Sequence, residues 1–282
     1  MRKKIKLAFS DFWGGFEYDP TGKTEYDNII YRILSERFDI EVSKQPDFLI
    51  YSVFGQNHKS FNGKKIMYTG ENMRPDLGYC DYALSFDYTD DKRNLRFPLS
   101  AITLYESGIR GEFPRSTDIE KVKREKTKFC NFVFSNPNAP VRNALLSELM
   151  KYKHVDSGGR AFNNIGYLVS DKQQFISQYK FTIAMENSES PGYTTEKLVH
   201  PKTTDSIPIY WGNPLVHNDW NTKAFINAYD FQNIGQLVDF IKEVDNDDSL
   251  YEKMLLEPHF NGEMPKDLRH TSLIEFFERI TQ

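Results

Sequence analysis

Residues 181–214 read FTIAMENSESPGYTTEKLVHPKTTDSIPIYWGNP, and the polar residues within them are spaced for anion chemistry. Residues 181–185 (FTIAM) are an apolar run bounded by polar residues, as in a buried strand. Glu186, Asn187 and Ser188, then Pro191 and Gly192, are turn residues. Thr194 or Thr195 can cap a helix that begins at Glu196-Lys197. Residues 207–211 (IPIYW) suit a second short strand, stopped by Gly212-Asn213-Pro214. A strand feeding a capped helix start aims free N–H groups and the positive end of the dipole at a ligand. Lys197 is unfavourable to that dipole, and a phosphate would explain its presence. An ordinary βαβ unit with a solvated Glu–Lys pair fits the same pattern.

Two further polar groups follow apolar runs. Glu71 comes after residues 66–70 (IMYTG), and Asn136 and Arg142 come after residues 129–134. A carboxylate at a strand end can serve as a general base if desolvation raises its pKa; a turn glutamate in water is the plainer alternative. Arg142 is expected in the first turn of a helix, where a guanidinium fork and orphan N–H groups can share a phosphate. The alternative is a surface arginine paired with Glu148 or solvent. Glu196 offers acceptor oxygens to vicinal hydroxyls. Tyr193 suits either a ligand face or the core. Glu186 and Asn187 suit donor contacts, or Glu186 holds its loop by accepting backbone N–H bonds. Trp13, in Phe12-Trp13-Gly14-Gly15, suits a sugar face or the core. The six histidines have no metal spacing, and Asp90-Asp91 and Asp247-Asp248 read as solvated loop acids, so no metal site is expected.

Glu186-Asn187-Ser188, Tyr193-Thr194-Thr195-Glu196-Lys197 and residues 207–212 (IPIYWG) together resemble the donor-binding signature of bacterial α1,3/4-fucosyltransferases of glycosyltransferase family 10. Residues 69–72 (TGEN) and 135–144 (SNPNAPVRNA) are similar to further stretches of that family, and the resemblance runs over nearly the whole chain. It implies a GT-B fold, with two Rossmann-like domains facing each other across a cleft. It implies GDP-fucose as donor and a β-galactosyl-N-acetylglucosamine glycan as acceptor, with inversion at the anomeric carbon. Glu71 would be the base and Trp13 an acceptor contact. Asn136, Arg142, Glu186, Asn187, Tyr193, Thr195, Glu196 and Lys197 would bind the donor. Arg142 and Lys197 would offset the charge of the departing diphosphate, with no cofactor and no essential divalent metal. Val199-His200-Pro201 departs from the family in placing a proline in the donor-site helix, which should kink or shorten it. Heptad repeats and a basic amphipathic tail are missing, so the resemblance lends no support to repeat-driven dimerisation. A transferase using another sugar nucleotide, or a non-catalytic glycan- or nucleotide-binding protein, is the competing expectation.

These groups need a scaffold of alternating strands and helices. Residues 5–10, 47–53, 65–69 and 82–86 read as strands. Tyr26, Ile29, Ile30, Ile33, Leu34 and Phe38 fall at helical spacing. Residues 112–128, with the run DIEKVKREKTK, are too polar for a core and read as a solvated linker. That places a domain boundary near 125, and the resemblance implies an acceptor domain at 1–125 and a GDP-fucose domain at 126–264, with a helix at about 265–282 packing back on the first. In the second domain, 129–134 and 181–185 read as strands. Residues 141–151, 173–179, 236–244, 249–256 and 272–280 read as helices. Ligands of such sheets bind beyond the carboxyl ends of the strands.

Composition narrows the class. The 282 residues include 22 Phe and 16 Tyr, ample for a core. A net charge of −4 argues against a general nucleic-acid binder. Cys80 and Cys130 cannot build a disulfide framework and read as buried apolar residues. The apolar run after MRKKIK is too short for a signal peptide, and no stretch is long enough to span a bilayer. A soluble, cytoplasmic protein is expected, with peripheral association at the inner membrane as the alternative.

Overall fold

A computed structural model describes residues 2–14, 16, 28–116 and 118–282. Tyr26 and Gly15 of the sequence reading lie outside the described residues. The chain divides into two compact units, residues 1–110 with 265–282, and residues 111–264.

In unit 1, β1 (Lys3–Ser10) leads to α1 (Ile29–Ser35), β2 (Phe38–Val42), β3 (Phe48–Tyr51), β4 (Lys64–Tyr68), β5 (Tyr82–Ser85), β6 (Asn94–Arg96) and α2 (Leu99–Glu106). The strands form one parallel sheet in the order β2-β1-β3-β4-β5-β6. Every residue of β3 is buried, as expected of a parallel sheet covered on both faces. In α1, Ile29, Ile30, Ile33 and Leu34 bury one face. Phe38 does not extend that helix. It opens β2, because its spacing from Leu34 happens to continue the helical period across a break at Glu36.

Unit 2 contains α3 (Ile119–Glu125), β7 (Lys128–Phe132), α4 (Pro140–Met150), β8 (Val155–Ser157), α5 (Lys172–Ile176), β9 (Tyr179–Ile183), α6 (Glu196–Lys202), β10 (Ile207–Tyr210), β11 (Ile226–Asn227), α7 (Ile234–Asn246) and α8 (Asp248–Leu256). Its sheet, also parallel, has the order β11-β10-β9-β7-β8. The last helix, α9 (His270–Ile280), belongs to unit 1. It buries Leu273, Phe276, Phe277 and Ile280, with the Phe277 ring 6.2 Å from Phe48 and Phe276 6.0 Å from Tyr82.

The charged stretch 112–128 is not a linker. Unit 2 begins at Gly111, and the stretch carries α3, capped by Asp118 on the Lys121 N–H at 2.9 Å. Val122 is its buried residue, and Lys123 pairs with Asp248 and Glu252 at 2.9 and 2.8 Å. A helix with a single buried side chain leaves almost no apolar period to read. Tyr179 likewise opens β9 instead of closing a helix. Among the described residues, no helix is long and apolar enough to cross a membrane, and both cysteines are free and buried.

In each sheet the chain lays its second strand outside the first, then crosses back over the first to place the third. The loops that follow the first and third strands therefore diverge at one point of the edge: β1 and β3 in unit 1, β7 and β9 in unit 2. Such switch points are where open α/β sheets bind ligands.

Candidate active site

At the switch point of unit 2, Arg142 of α4 joins the two diverging loops. Its Nη2 donates to the Asn136 carbonyl after β7 at 2.8 Å, and its Nη1 donates after β9 to Asn187 Oδ1 at 2.7 Å and to the Met185 carbonyl at 3.4 Å. The guanidinium lies 3.8 Å from the Phe134 ring centroid and is fully buried. Burial lowers its pKa to about 10, against the pull of Glu186. Pro140 opens α4, where its missing N–H costs nothing. Asn136 is exposed, and its Oδ1 closes a turn on the Asn138 N–H at 2.8 Å.

Glu186 follows β9 and is fully buried. Its Oε1 accepts from the Thr195 N–H at 3.0 Å and from Thr195 Oγ1 at 2.7 Å, so it holds the loop in the way the alternative reading had it. Its Oε2 lies 3.0 Å from Lys197 Nζ. Gly212 makes room for it: φ there is +145°, and an added Cβ would meet Glu186 Cγ at 2.3 Å. Thr195 caps α6, and Pro201 stands one residue before that helix ends. The loop before the cap is pinned by Asn213, whose Oδ1 accepts from the Gly192 N–H at 2.7 Å and whose Nδ2 donates to Thr194 Oγ1 at 3.0 Å.

Lys197 is held between two carboxylates, with Glu196 Oε1 at 3.3 Å. Burial would lower its pKa, but Glu186 and Glu196 outweigh it and raise it. Burial likewise would raise Glu196; Lys197, Lys172 and His200 instead hold it at about 2. Glu186, the deepest of the group, is pushed up by burial against Lys197. Lys172 of α5 was missed from sequence. It is depressed by burial and by Lys197, and pulled up by Glu196. His200, one turn along α6, is lowered to about 4 by burial and by Lys172. Tyr193 is buried, 5% exposed, with its carbonyl accepting from Tyr210 Oη at 3.3 Å, and it acts on Lys197 of the cluster.

In unit 1, Glu71 follows β4 and is exposed. Its N–H donates to Thr69 Oγ1 at 3.0 Å. Trp13 follows β1 and is 37% exposed, edge-on to Phe12, Phe16 and Phe54 at 5.8, 4.7 and 5.8 Å. Phe54, after β3 and 49% exposed, carried no sequence signal. Among the described residues, no group of three or more His, Cys, Asp and Glu could hold a metal ion.

Comparison with known proteins agrees with this two-unit plan. Residues 7–105 match the model of the α-(1,3)-fucosyltransferase FucT N-terminal domain, and residues 123–256 match the C-terminal model of glycosyltransferase family 10 (fucosyltransferase). The chain belongs to glycosyltransferase family 10. It is 32% identical over 319 residues to the α-(1,3)-fucosyltransferase FucT of Helicobacter pylori, covering 99% of this chain and 66% of that protein. A crystal structure of α1,3-fucosyltransferase matches with a TM-score of 0.84 at 30% identity, covering 99% of this chain and 90% of that one. A crystal structure of α1,3-fucosyltransferase with GDP-fucose matches with a TM-score of 0.81 at 30% identity, covering 100% and 91%.

In this family 10 chain the structure brings Arg142, Asn136, Asn187, Glu186, Thr195, Glu196 and Lys197 together in unit 2. In unit 1, Trp13 follows β1 and Glu71 follows β4, two strands of the same parallel sheet. Arg142, Lys172 and Lys197 lie around Glu186 and Glu196 in unit 2, and burial lowers both Arg142 and Lys172.

Proposed function

We propose that this chain is an inverting α1,3-fucosyltransferase. It would move L-fucose from GDP-fucose to the N-acetylglucosamine of a lactosamine-type glycan and give a Lewis-antigen-like product. The observation that carries the reading is the convergence of Arg142 and Lys197 at the switch point of unit 2. Family membership and the match to a fucosyltransferase crystallised with GDP-fucose support it.

In the proposed reaction, Glu71 accepts the proton of the acceptor hydroxyl. The acceptor oxygen forms a bond to the fucosyl C1 on the face opposite GDP. The bond from C1 to the β-phosphate oxygen breaks, and its electron pair leaves with GDP. Positive charge builds on the sugar ring as in glycoside hydrolysis, while negative charge builds on the leaving diphosphate. Arg142 and Lys197 offset that charge, and we propose no metal requirement. Arg142 does this largely as a fixed buried charge, because its Nη groups already hold Asn136 and Asn187. Lys197 is held by two carboxylates, one of which would yield its position to a phosphate oxygen. Glu196 is placed to accept from sugar or ribose hydroxyls.

The test is GDP release from GDP-fucose in the presence of N-acetyllactosamine, comparing wild type with Glu71→Gln. Acceptor-dependent release that collapses in the variant, with GDP binding retained, is the expected result. No binding of GDP-fucose by wild type would overturn the reading.

A further inference from the structure

The loop between β9 and α6 carries Glu186 and Asn187 at one end and Thr195 at the other. The exit of β10, the strand beside β9, holds it along one side. The Trp211 carbonyl accepts from the Glu186 N–H at 2.8 Å, and the Gly212 carbonyl accepts from the Ser190 N–H at 2.9 Å. Asn213 Oδ1 accepts from the Gly192 N–H at 2.7 Å.

A further contact comes from one strand beyond. Tyr229, in the turn Ala228–Asp230 after β11, donates from Oη to Glu189 Oε2 at 2.8 Å. β10 lies between β9 and β11 in the sheet, so this bond reaches across β10. The turn that presents Tyr229 is itself fixed. Asn227 Oδ1 accepts from the Tyr229 N–H at 3.4 Å, and Asn227 Nδ2 donates to Asp230 Oδ1 at 2.9 Å. The Gly212 N–H also acts on the Tyr229 hydroxyl, opposing the rise that burial and Glu189 give its pKa. One phenol therefore interacts both with the loop and with the glycine that makes room for Glu186. Tyr229 is half-buried and Glu189 is exposed. A bond at that depth adds little to global stability. Its effect is to take freedom from one loop. A loop left free must be ordered by its ligand at the moment of binding, which weakens affinity and leaves the reacting bond untouched.

We infer that Tyr229 and Glu189 are positioning residues, a latch that keeps the loop between β9 and α6 in the form that receives a nucleoside diphosphate. The inference rests on the donor-site reading above. Neither side chain is assigned a ligand contact: they act through Asn187, Glu186 and Thr195, which the latched loop carries.

The test uses the full chain, with GDP affinity by calorimetry and GDP-fucose kinetics with N-acetyllactosamine. The variants are Tyr229→Phe, Glu189→Ala, Glu189→Gln and the Tyr229→Phe/Glu189→Ala double. Tyr229→Phe and Glu189→Ala are each expected to raise the GDP Kd and the GDP-fucose KM roughly three- to ten-fold, with kcat within about two-fold. Glu189→Gln should bind GDP within about two-fold of wild type, because its amide oxygen still accepts from the phenol. The double variant should be no weaker than the weaker single, since both residues act through one bond. Tm should stay within about 2 °C throughout, which separates loop ordering from unfolding. Single variants that bind GDP within two-fold of wild type, losses that multiply in the double variant, or a Gln variant as weak as the Ala variant would overturn the latch. If wild type binds GDP but transfers no fucose, the reaction assigned above fails and GDP affinity alone decides the latch. If wild type binds no GDP, the donor-site reading fails and the latch falls with it.

Discussion

Replacing Arg142 by Lys and by Met separates what its geometry does from what its charge does. The guanidinium donates to Asn136, Met185 and Asn187 and stacks on Phe134 at 3.8 Å. A lysine ammonium is a point donor that cannot span both loops. At least one buried acceptor would be left unmatched, costing about 1–3 kcal/mol, and part of a ring contact worth about 1–2 kcal/mol would go with it. Arg142→Lys is therefore expected to lose about 2–4 kcal/mol of stability while keeping the charge. GDP should bind some ten- to hundred-fold more weakly, because the loops that frame it drift. Arg142→Met removes the charge as well and leaves Glu186 less compensated. Its kcat should fall further, by about 10²–10³, as when one preorganised charge-stabilising group is removed. Calorimetry with GDP, thermal melts and GDP release from GDP-fucose read the three effects. If both variants fold and bind GDP within two-fold of wild type, the diphosphate is not held at the switch point of unit 2, and the reasoning fails.

Three further outcomes follow from the same geometry. Glu71→Gln should lower kcat by about 10²–10⁴ without changing GDP affinity; near-wild-type turnover would move the base elsewhere. Gly212→Ala places a Cβ 2.3 Å from Glu186 Cγ at φ +145°. It should cost about 1–3 kcal/mol in urea melts and weaken GDP-fucose binding together, and a normal midpoint with normal binding would contradict that. Lys202 is buried over the Trp220 and Phe225 rings, donating to the Ala224 carbonyl at 3.1 Å, and burial lowers its pKa from 10.5 to about 7. From pH 7 to 10.5 the unfolded chain then binds a proton that the folded chain lacks, so Tm should climb with pH there, by up to about 1.4 kcal/mol of stability per pH unit. Its neighbour His259, lowered from 6.5 to about 2, has the same sign and makes stability fall as pH drops below 6.5. Lys202→Met should flatten the alkaline limb, and an unchanged slope in melts from pH 7 to 9.5 would refute the assignment.

The donor side was readable because its chemistry is contiguous. A strand, a polar turn and Thr195 before Glu196 predict a capped helix from local rules, and Thr195 is that cap. Elements without periodicity were not readable: β11 is two residues long, and β6 and β8 are three. The partners of Arg142 were hidden for a different reason. Asn136 and Asn187 meet only because β7 pairs with β9 while β8 lies on the outside. No spacing along the chain reports that crossover. Lys172 was invisible for the same cause, since α5 packs on α6 only after the strand between them is placed. In unit 1, Trp13 and Glu71 stood out as residue types, whereas Phe54 after β3 carried no sequence signal.

A fully buried carboxylate such as Glu186 is a costly neighbour for a phosphate site, and its contacts explain why it is there. Lys197 is nearly enclosed, with a side chain 12% exposed. Burial without a partner would favour its neutral amine. Glu186 and Glu196 reverse that and keep the ammonium charged before any ligand arrives. Glu186 also fixes the Thr195 cap through both the N–H and the hydroxyl. The same side chain therefore sets the charge of the cation and the direction of the helix start that would face the diphosphate. In the proposed reaction an incoming phosphate oxygen would replace a carboxylate contact of a lysine that is already ionised and in place, so no proton would be taken up and little reorganisation would be needed. In the proposed function the acidic residues of the motif would contribute to anion binding by holding the cation ready, a role opposite to the one their charge sign suggests.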